Sequence, residues 1–203
     1  MKLYYAPGAC SLSPHIVACE AGIPLDLEKV DLSAKKTASG EAYGQVNPKG
    51  YVPALRLDDG SVLTEGPAIV QYLADRKPAA GLAPHAGTIE RYRLQEWLGF
   101  LNSEIHKAWG ALFSPKADRG PVIEKLNQRL QFLNGELDRR PYLLPGGFSV
   151  ADAYLFTLLN WAGFTRVDLS PYPALVKYAE RIKVRPKVQE ALRAEGLLQE
   201  KAA

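Results

Sequence analysis

Sulfur and net charge are both scarce in this chain, and each scarcity excludes a class of function. Of 203 residues only two are cysteines, Cys10 and Cys19, and 25 basic against 22 acidic residues leave a formal net charge of +3. If one helix joins the cysteines, their Cα atoms lie about 13 Å apart and face opposite sides. A disulfide tolerates a Cα separation of roughly 7 Å, so these two are not expected to pair. Neither has a His or Cys partner at ligand spacing, which argues against a metal site. Scattered Lys and Arg leave no electrostatic footprint for nucleic acid. No apolar run is long enough to span a bilayer. The N-terminus, broken by Pro7 and Gly8, forms no signal-peptide core. A phosphate-binding glycine loop, a nucleophile elbow, an internal repeat and a low-complexity tract are missing too. What is present, 47% hydrophobic and 23% charged residues, suits one large domain or two small ones around a real core. The expectation is a cytoplasmic protein of small-molecule chemistry.

Along the chain, residues 2–5 read as a strand, residues 11–21 as a helix stopped by Gly22 and Pro24, and residues 25–30 as a second strand. A polar stretch, 35–45, reads as loop plus a short helix. Residues 53–57 and 61–64 flank the turn Asp58-Asp59-Gly60 as a hairpin, and residues 66–75 read as a helix. The order is βαβαββα. A Pro-, Gly- and Ala-rich linker follows at 78–87, after which the strand signals vanish. Leu94, Trp97, Leu98, Leu101, Ile105, Ala108 and Leu112 mark a long amphipathic helix. Further helices fit 122–137, 149–161, 172–183 and 186–194. Ser149-x-x-Asp152 has the form of a capping box, and the apolar run behind it predicts a central, buried helix. The division expected is an α/β domain at 1–77, the linker, and an all-α domain at 88–203.

Cys10 ends a Pro-Gly loop where the first helix begins, so free amides and the helix dipole are expected to favour its thiolate. Cys10-x-x-Ser13 is a redox motif with its second sulfur replaced by oxygen; the thiol could form a mixed disulfide but has no internal resolving partner. The alternative is a buried cysteine acting as a small hydrophobe, which is the reading for Cys19. Pro53 opens a strand and Val52 before it is held extended, leaving the Val52 backbone to pair with another chain. By sequence alone a trans Val52-Pro53 bond is favoured; a cis bond would turn that edge outward. Glu65 before Gly66-Pro67 offers a carboxylate to an ammonium, beside a helix N-terminus that receives a carboxylate. Lys35 and Lys36 could meet an anion or simply face water. His106 points roughly 100° off the apolar stripe, sharing a face with Gly99 and Ser103, either towards a cleft or into solvent.

Taken in order, these motifs resemble the cytosolic glutathione transferases, and most closely their bacterial beta class, over essentially the whole chain. The residues that carry the resemblance are Tyr5-x-Pro7-Gly8-Ala9-Cys10-Ser11, Val46-Asn47-Pro48-Lys49-Gly50-x-Val52-Pro53-Ala54-Leu55, Leu63-Thr64-Glu65-Gly66-x-Ala68-Ile69-x-Gln71-Tyr72-Leu73, Glu104-x-His106-Lys107 and Phe148-Ser149-x-Ala151-Asp152-Ala153-Tyr154. The resemblance implies a thioredoxin-like N-terminal domain, an all-α C-terminal domain and a homodimer. It implies glutathione as co-substrate, apolar electrophiles as partners and a role in detoxification. It also implies a cis Pro53, with Val52 pairing the cysteinyl part of glutathione, Glu65 and Gly66 holding the γ-glutamyl end, and Lys35 the glycine carboxylate. Cys10 then lies beside the glutathione sulfur as the principal catalytic residue, with His106 second. His106 and Lys107 line the site from the helical domain, while Ser103 and Glu104 lie near the dimer interface. At Gly99 the resemblance departs, since close relatives carry an asparagine that can reach the ligand. Trp109, Leu112, Phe113 and Phe164 fit either an electrophile pocket or core packing.

Overall fold

Burial on both faces of the first strand marks the centre of the sheet. In β1 (Lys2–Tyr5) Leu3 and Tyr4 are both buried, on opposite faces. It pairs in parallel with β2 (Asp26–Asp31), whose outer neighbour is β3 (Lys36–Thr37). On its other side β1 pairs antiparallel with β4 (Ala54–Arg56), and β4 with β5 (Val62–Thr64), giving the order β3-β2-β1-β4-β5. Leu3 stands opposite Leu27 and Leu55, and Leu55 opposite Leu63, so one apolar row crosses four strands. On the other face Tyr4 and Ala54 pack with Tyr43 and Val46 of a single turn, α2 (Tyr43–Val46), and with Val52. The two-residue β3 lies in the stretch expected to be loop plus short helix; it is too short to carry an alternating pattern.

The helix after β1, α1 (Leu12–Ala21), buries Leu12 through Ala18. It stops at Gly22, whose φ of 65° lets the amides of Gly22 and Ile23 turn back to Cys19 and Ala18. A second helix, α3 (Gly66–Arg76), packs against α1. The structure is a computed structural model and describes residues 1–198.

Residues 83–184 form a second, wholly helical unit. The expected long helix is a single run: α4 (Ile89–Phe100), one π-helical segment over Leu101–His106, then α5 (Lys107–Leu112). It is followed by α6 (Arg119–Asp138), α7 (Val150–Leu159), α8 (Trp161–Thr165) and α9 (Pro173–Lys183). Every residue of α7 is buried, as its all-round apolar sequence predicts. The capping box forms, and the Asp152 carboxylate accepts from the Ser149 amide and hydroxyl (2.8 Å each), the Leu143 amide (2.9 Å) and the Tyr178 hydroxyl (2.9 Å).

The last helix, α10 (Pro186–Ala194), departs from the expected division at 88–203. It packs on α1, so the segment from Arg185 joins Met1–Leu82 in the first unit. Its buried stripe of Val188, Ala191 and Leu192 shows no preference of partner in sequence. Two polar pairs mark the contact: Arg185 grips Glu20 through two bonds (2.7 and 2.9 Å), and Glu195 meets His15 at 2.9 Å. Among the described residues no helix is long and apolar enough to cross a membrane.

Candidate functional site

One short loop in the first unit gathers the residues singled out there. It runs from Asn47 to Pro53 and ends on a cis Val52-Pro53 bond, as the resemblance implies and against the preference of sequence alone. Asn47 is buried and pins the loop, donating from Nδ2 to the Tyr51 carbonyl at 2.7 Å, with the Tyr43 hydroxyl on the same oxygen at 3.0 Å. On one side the Lys35 ammonium donates to the Gly50 carbonyl at 2.8 Å. On another, Lys49 Nζ and the Tyr51 hydroxyl both donate to Glu65 Oε1, at 2.6 and 2.7 Å. At the end of the loop the Val52 carbonyl accepts from Cys10 Sγ at 3.2 Å. Cys10, Lys35, Val52, Pro53 and Glu65 thus share one rim, and Gly66 opens α3 beside Glu65.

Lys49 and Tyr51 were read only as part of a motif, yet they are the direct partners of Glu65. The Glu65 carboxylate holds the protons on both, raising each pKa above its ordinary value. The loop that carries Cys10 is held by Ser11, whose hydroxyl bonds both the amide and the carbonyl of Ala6, at 3.1 and 3.2 Å. Glu195 adds a third anchor, accepting from the Gly8 amide at 2.9 Å. Sequence reasoning missed Glu195 because 187 positions separate it from Gly8.

The thiol itself corrects the expectation of a stabilised thiolate. Burial pushes the Cys10 pKa up to about 12, against the backbone amides of Cys10 and Ser11, and the Glu65 charge adds to the rise. Desolvation of a sulfur anion therefore outweighs what two amides return. Cys10 and Cys19 are both free thiols, and burial raises Cys19 to about 11.

In the helical unit Ser103, Glu104, His106 and Lys107 follow one another along the π-helical segment and the start of α5. Ser103 and Lys107 are exposed. Glu104 pairs with Arg129 (3.0 Å) and Lys125 (3.5 Å), and the Arg129 hydrogen bond lowers its pKa. His106 is half-buried rather than solvent-facing: its ring meets Trp161 edge-on at 4.9 Å, and Nδ1 lies 2.6 Å from the Tyr154 hydroxyl. A π-helical segment holds more residues per turn, so the regular 100° phase does not carry through it. Gly99 is exposed, with nothing within 4 Å of where a Cβ would stand. Trp109 and Leu112 are core, whereas Phe113 and Phe164 are exposed, with Phe113 edge-on to Trp161 at 5.3 Å. Among the described residues no group of three or more His, Cys, Asp or Glu is placed to hold a metal ion.

Two family models match the chain: "Glutathione S-transferase, N-terminal domain" over residues 8–76 and "Glutathione S-transferase, C-terminal domain" over residues 100–186. The chain belongs to the glutathione S-transferases. Glutathione S-transferase GstA of Escherichia coli O157:H7 is 44% identical over 200 residues, spanning 97% of this chain and all of the relative. Among solved structures, BphK, a bacterial glutathione transferase solved as a ternary complex, is 55% identical, with a TM-score of 0.95 over 97% of this chain and 100% of its own. The bacterial beta-class transferase of Sphingomonas chungbukensis is 48% identical, with a TM-score of 0.94 over 98% and 100%. The transferase fold of a mixed thioredoxin-like sheet and a helical domain is the one these relatives share, and the chain is a bacterial beta-class type.

Proposed function

We infer that this transferase binds glutathione and joins its sulfur to apolar electrophiles. The observation that carries this reading is the loop 47–53, which ties a lysine, a glutamate, an extended backbone edge and a thiol into one row. Glutathione presents the complementary row. Its glycine carboxylate suits Lys35, its cysteinyl backbone the amide and carbonyl of Val52, and its γ-glutamyl ammonium Glu65. The α-carboxylate beside that ammonium suits the N-terminus of α3 at Gly66. Relatives named as glutathione transferases over their full length favour catalysis over a purely binding role.

In the reaction the glutathione thiol gives up its proton to solvent water. The sulfur anion attacks the electrophilic carbon, and the leaving group departs with its bonding pair. Binding in a fixed pose beside the electrophile lowers that barrier. Cys10, protonated at neutral pH with its pKa of about 12, turns its one proton from the Val52 carbonyl to the bound sulfur anion as a hydrogen-bond donor. Reduction of disulfides through a Cys10–glutathione mixed disulfide requires the thiolate and is the slower route. This reading assigns His106 and Lys107 to the sulfur side, and Ser103 and Glu104 to a pocket completed by a second copy. A homodimer also accounts for the cleft of about 760 Å³ on the helical unit, where Trp97, Phe100 and a half-exposed Phe132 cluster. Turnover of a chlorodinitrobenzene with glutathione tests the reading; glutathione binding without any conjugate would overturn it.

A further inference from the structure

Where α10 packs on α1, the first unit holds a cleft of about 460 Å³ that no residue of the loop 47–53 lines. Its floor is apolar: Ala18 of α1, Ile23 and Leu25 in the turn that follows, and Leu27 of β2. Four polar side chains stand among them, His15 and Cys19 from α1 and Lys187 and Glu190 from α10. Cys19 follows His15 by four residues, so the two share one helical face with Cβ atoms about 5–6 Å apart. Lys187 donates to Glu190 at 2.7 Å, and both are exposed at the rim. The His15 ring is buried, and its Nδ1 is held by the Glu195 carboxylate at 2.9 Å. Its other nitrogen, Nε2, has no hydrogen-bond partner among the described residues. A buried ring nitrogen ordinarily has one, so Nε2 is satisfied from the cleft.

We propose that this cleft captures apolar α,β-unsaturated ketones covalently at Cys19, with His15 as the base and Glu195 as the residue that positions it. The apolar tail of the ketone lies on the floor. Its carbonyl oxygen accepts from the Lys187 ammonium, which gives one proton to Glu190 and keeps two. Burial raises the Cys19 pKa to about 11, so at neutral pH the sulfur attacks only if its proton is removed in the same step. With the Glu195 carboxylate on Nδ1–H, Nε2 carries the lone pair that takes that proton, directly or across one water. The S–H bond breaks and an Nε2–H bond forms. Sulfur then bonds the β-carbon, and the electron pair of the carbon–carbon double bond moves to the α-carbon. The Nε2 proton is passed to that carbon, which completes the adduct and restores the ring. No oxidant, reductant or glutathione enters, so the site stands apart from the transferase reading.

Two vinyl ketones that differ only in their tails, oct-1-en-3-one and methyl vinyl ketone, test this on the full chain without glutathione. Peptide mass mapping over time separates the Cys19 adduct from any at Cys10. The rate at Cys19 should saturate with octenone concentration and, at low concentration, exceed that of methyl vinyl ketone by about tenfold or more, the return on burying the longer tail. In the urea-unfolded chain the two ketones should react alike. Ala194 lines the cleft from an exposed position, so Ala194→Phe narrows it without disturbing the core. That variant should lose about tenfold of the octenone rate and keep the methyl vinyl ketone rate within about twofold. His15→Gln keeps a donor for Glu195 but offers no base. Its saturated rate should fall about tenfold or more, with the half-saturating concentration within about twofold. A rate linear in octenone and equal for the two ketones would overturn the proposal, as would an unchanged saturated rate in His15→Gln or an unchanged octenone rate in Ala194→Phe.

Discussion

Glu65 stands with φ at 71°, a region that residues with a Cβ rarely adopt and that carries a penalty of about 1–3 kcal/mol. Its carbonyl accepts from the amides of Ala68 and Ile69 at 3.0 Å while its carboxylate is held by Lys49 and Tyr51, so the conformation is fixed from both ends. Glycine relieves that backbone penalty and removes the carboxylate, so the two effects separate. Glu65→Gly should unfold in denaturant within about 1 kcal/mol of the wild type, because the exposed ion pair with Lys49 contributes little. Its glutathione Kd, measured by calorimetry, should rise about tenfold or more for the loss of a charge-assisted bond. Cys10 gives a second test at this scale. With its pKa raised to about 12, the thiolate is a small minority at pH 7 and grows with pH throughout the accessible range. In a Cys19→Ala background, alkylation of Cys10 in the ligand-free protein should accelerate about tenfold per pH unit from pH 7 to 10 without a plateau. A plateau near pH 8 would show a thiolate stabilised in the manner the helix dipole alone suggests.

At the scale of elements, α7 begins on a capping box whose acid does more than cap. Ser149→Ala should lower unfolding free energy by about 1 kcal/mol, the usual value of an N-cap. Asp152→Ala should lower it further, by about 3 kcal/mol, since it leaves the Leu143 and Ser149 amides buried without their acceptor and the Tyr178 hydroxyl with only the residue-152 carbonyl at 3.3 Å. Denaturant unfolding followed by circular dichroism measures both. The box was legible because Ser and Asp three apart before an apolar run is a local signal, and so were α1 with its Gly22 stop and the hairpin of β4 and β5. Cys10, Lys35 and Glu65 were legible as residue types beside strand ends and a helix start. Three things were not. The π-helical segment has no residue signature, so the half-burial of His106 against Trp161 and Tyr154 could not be read from a regular helix. Lys49 and Tyr51 are exposed side chains whose role comes from where Glu65 stands. Tyr154 and His106 meet across a sequence separation that no periodicity reports.

The whole molecule has two units, and the first is assembled from both ends of the described chain. At this scale the homodimer reading is open to direct test. Sedimentation should give twice the chain mass for the wild type, and Phe132→Asp, which puts a charge among Trp97 and Phe100, should give the single-chain mass. Wild-type sedimentation at the single-chain mass would remove the second copy from the proposed pocket. The pairing of Glu195 with Gly8 and His15 has a consequence for how the protein is made. Synthesis runs from the N-terminus, and domains ordinarily fold as they emerge. Here the loop that presents Cys10 is finished by a carboxylate translated 187 residues after Gly8. The earlier sheet therefore waits for nearly the whole chain before its last anchor is made, and a chain cut short before Arg185 has no acid to close the Cys10 loop.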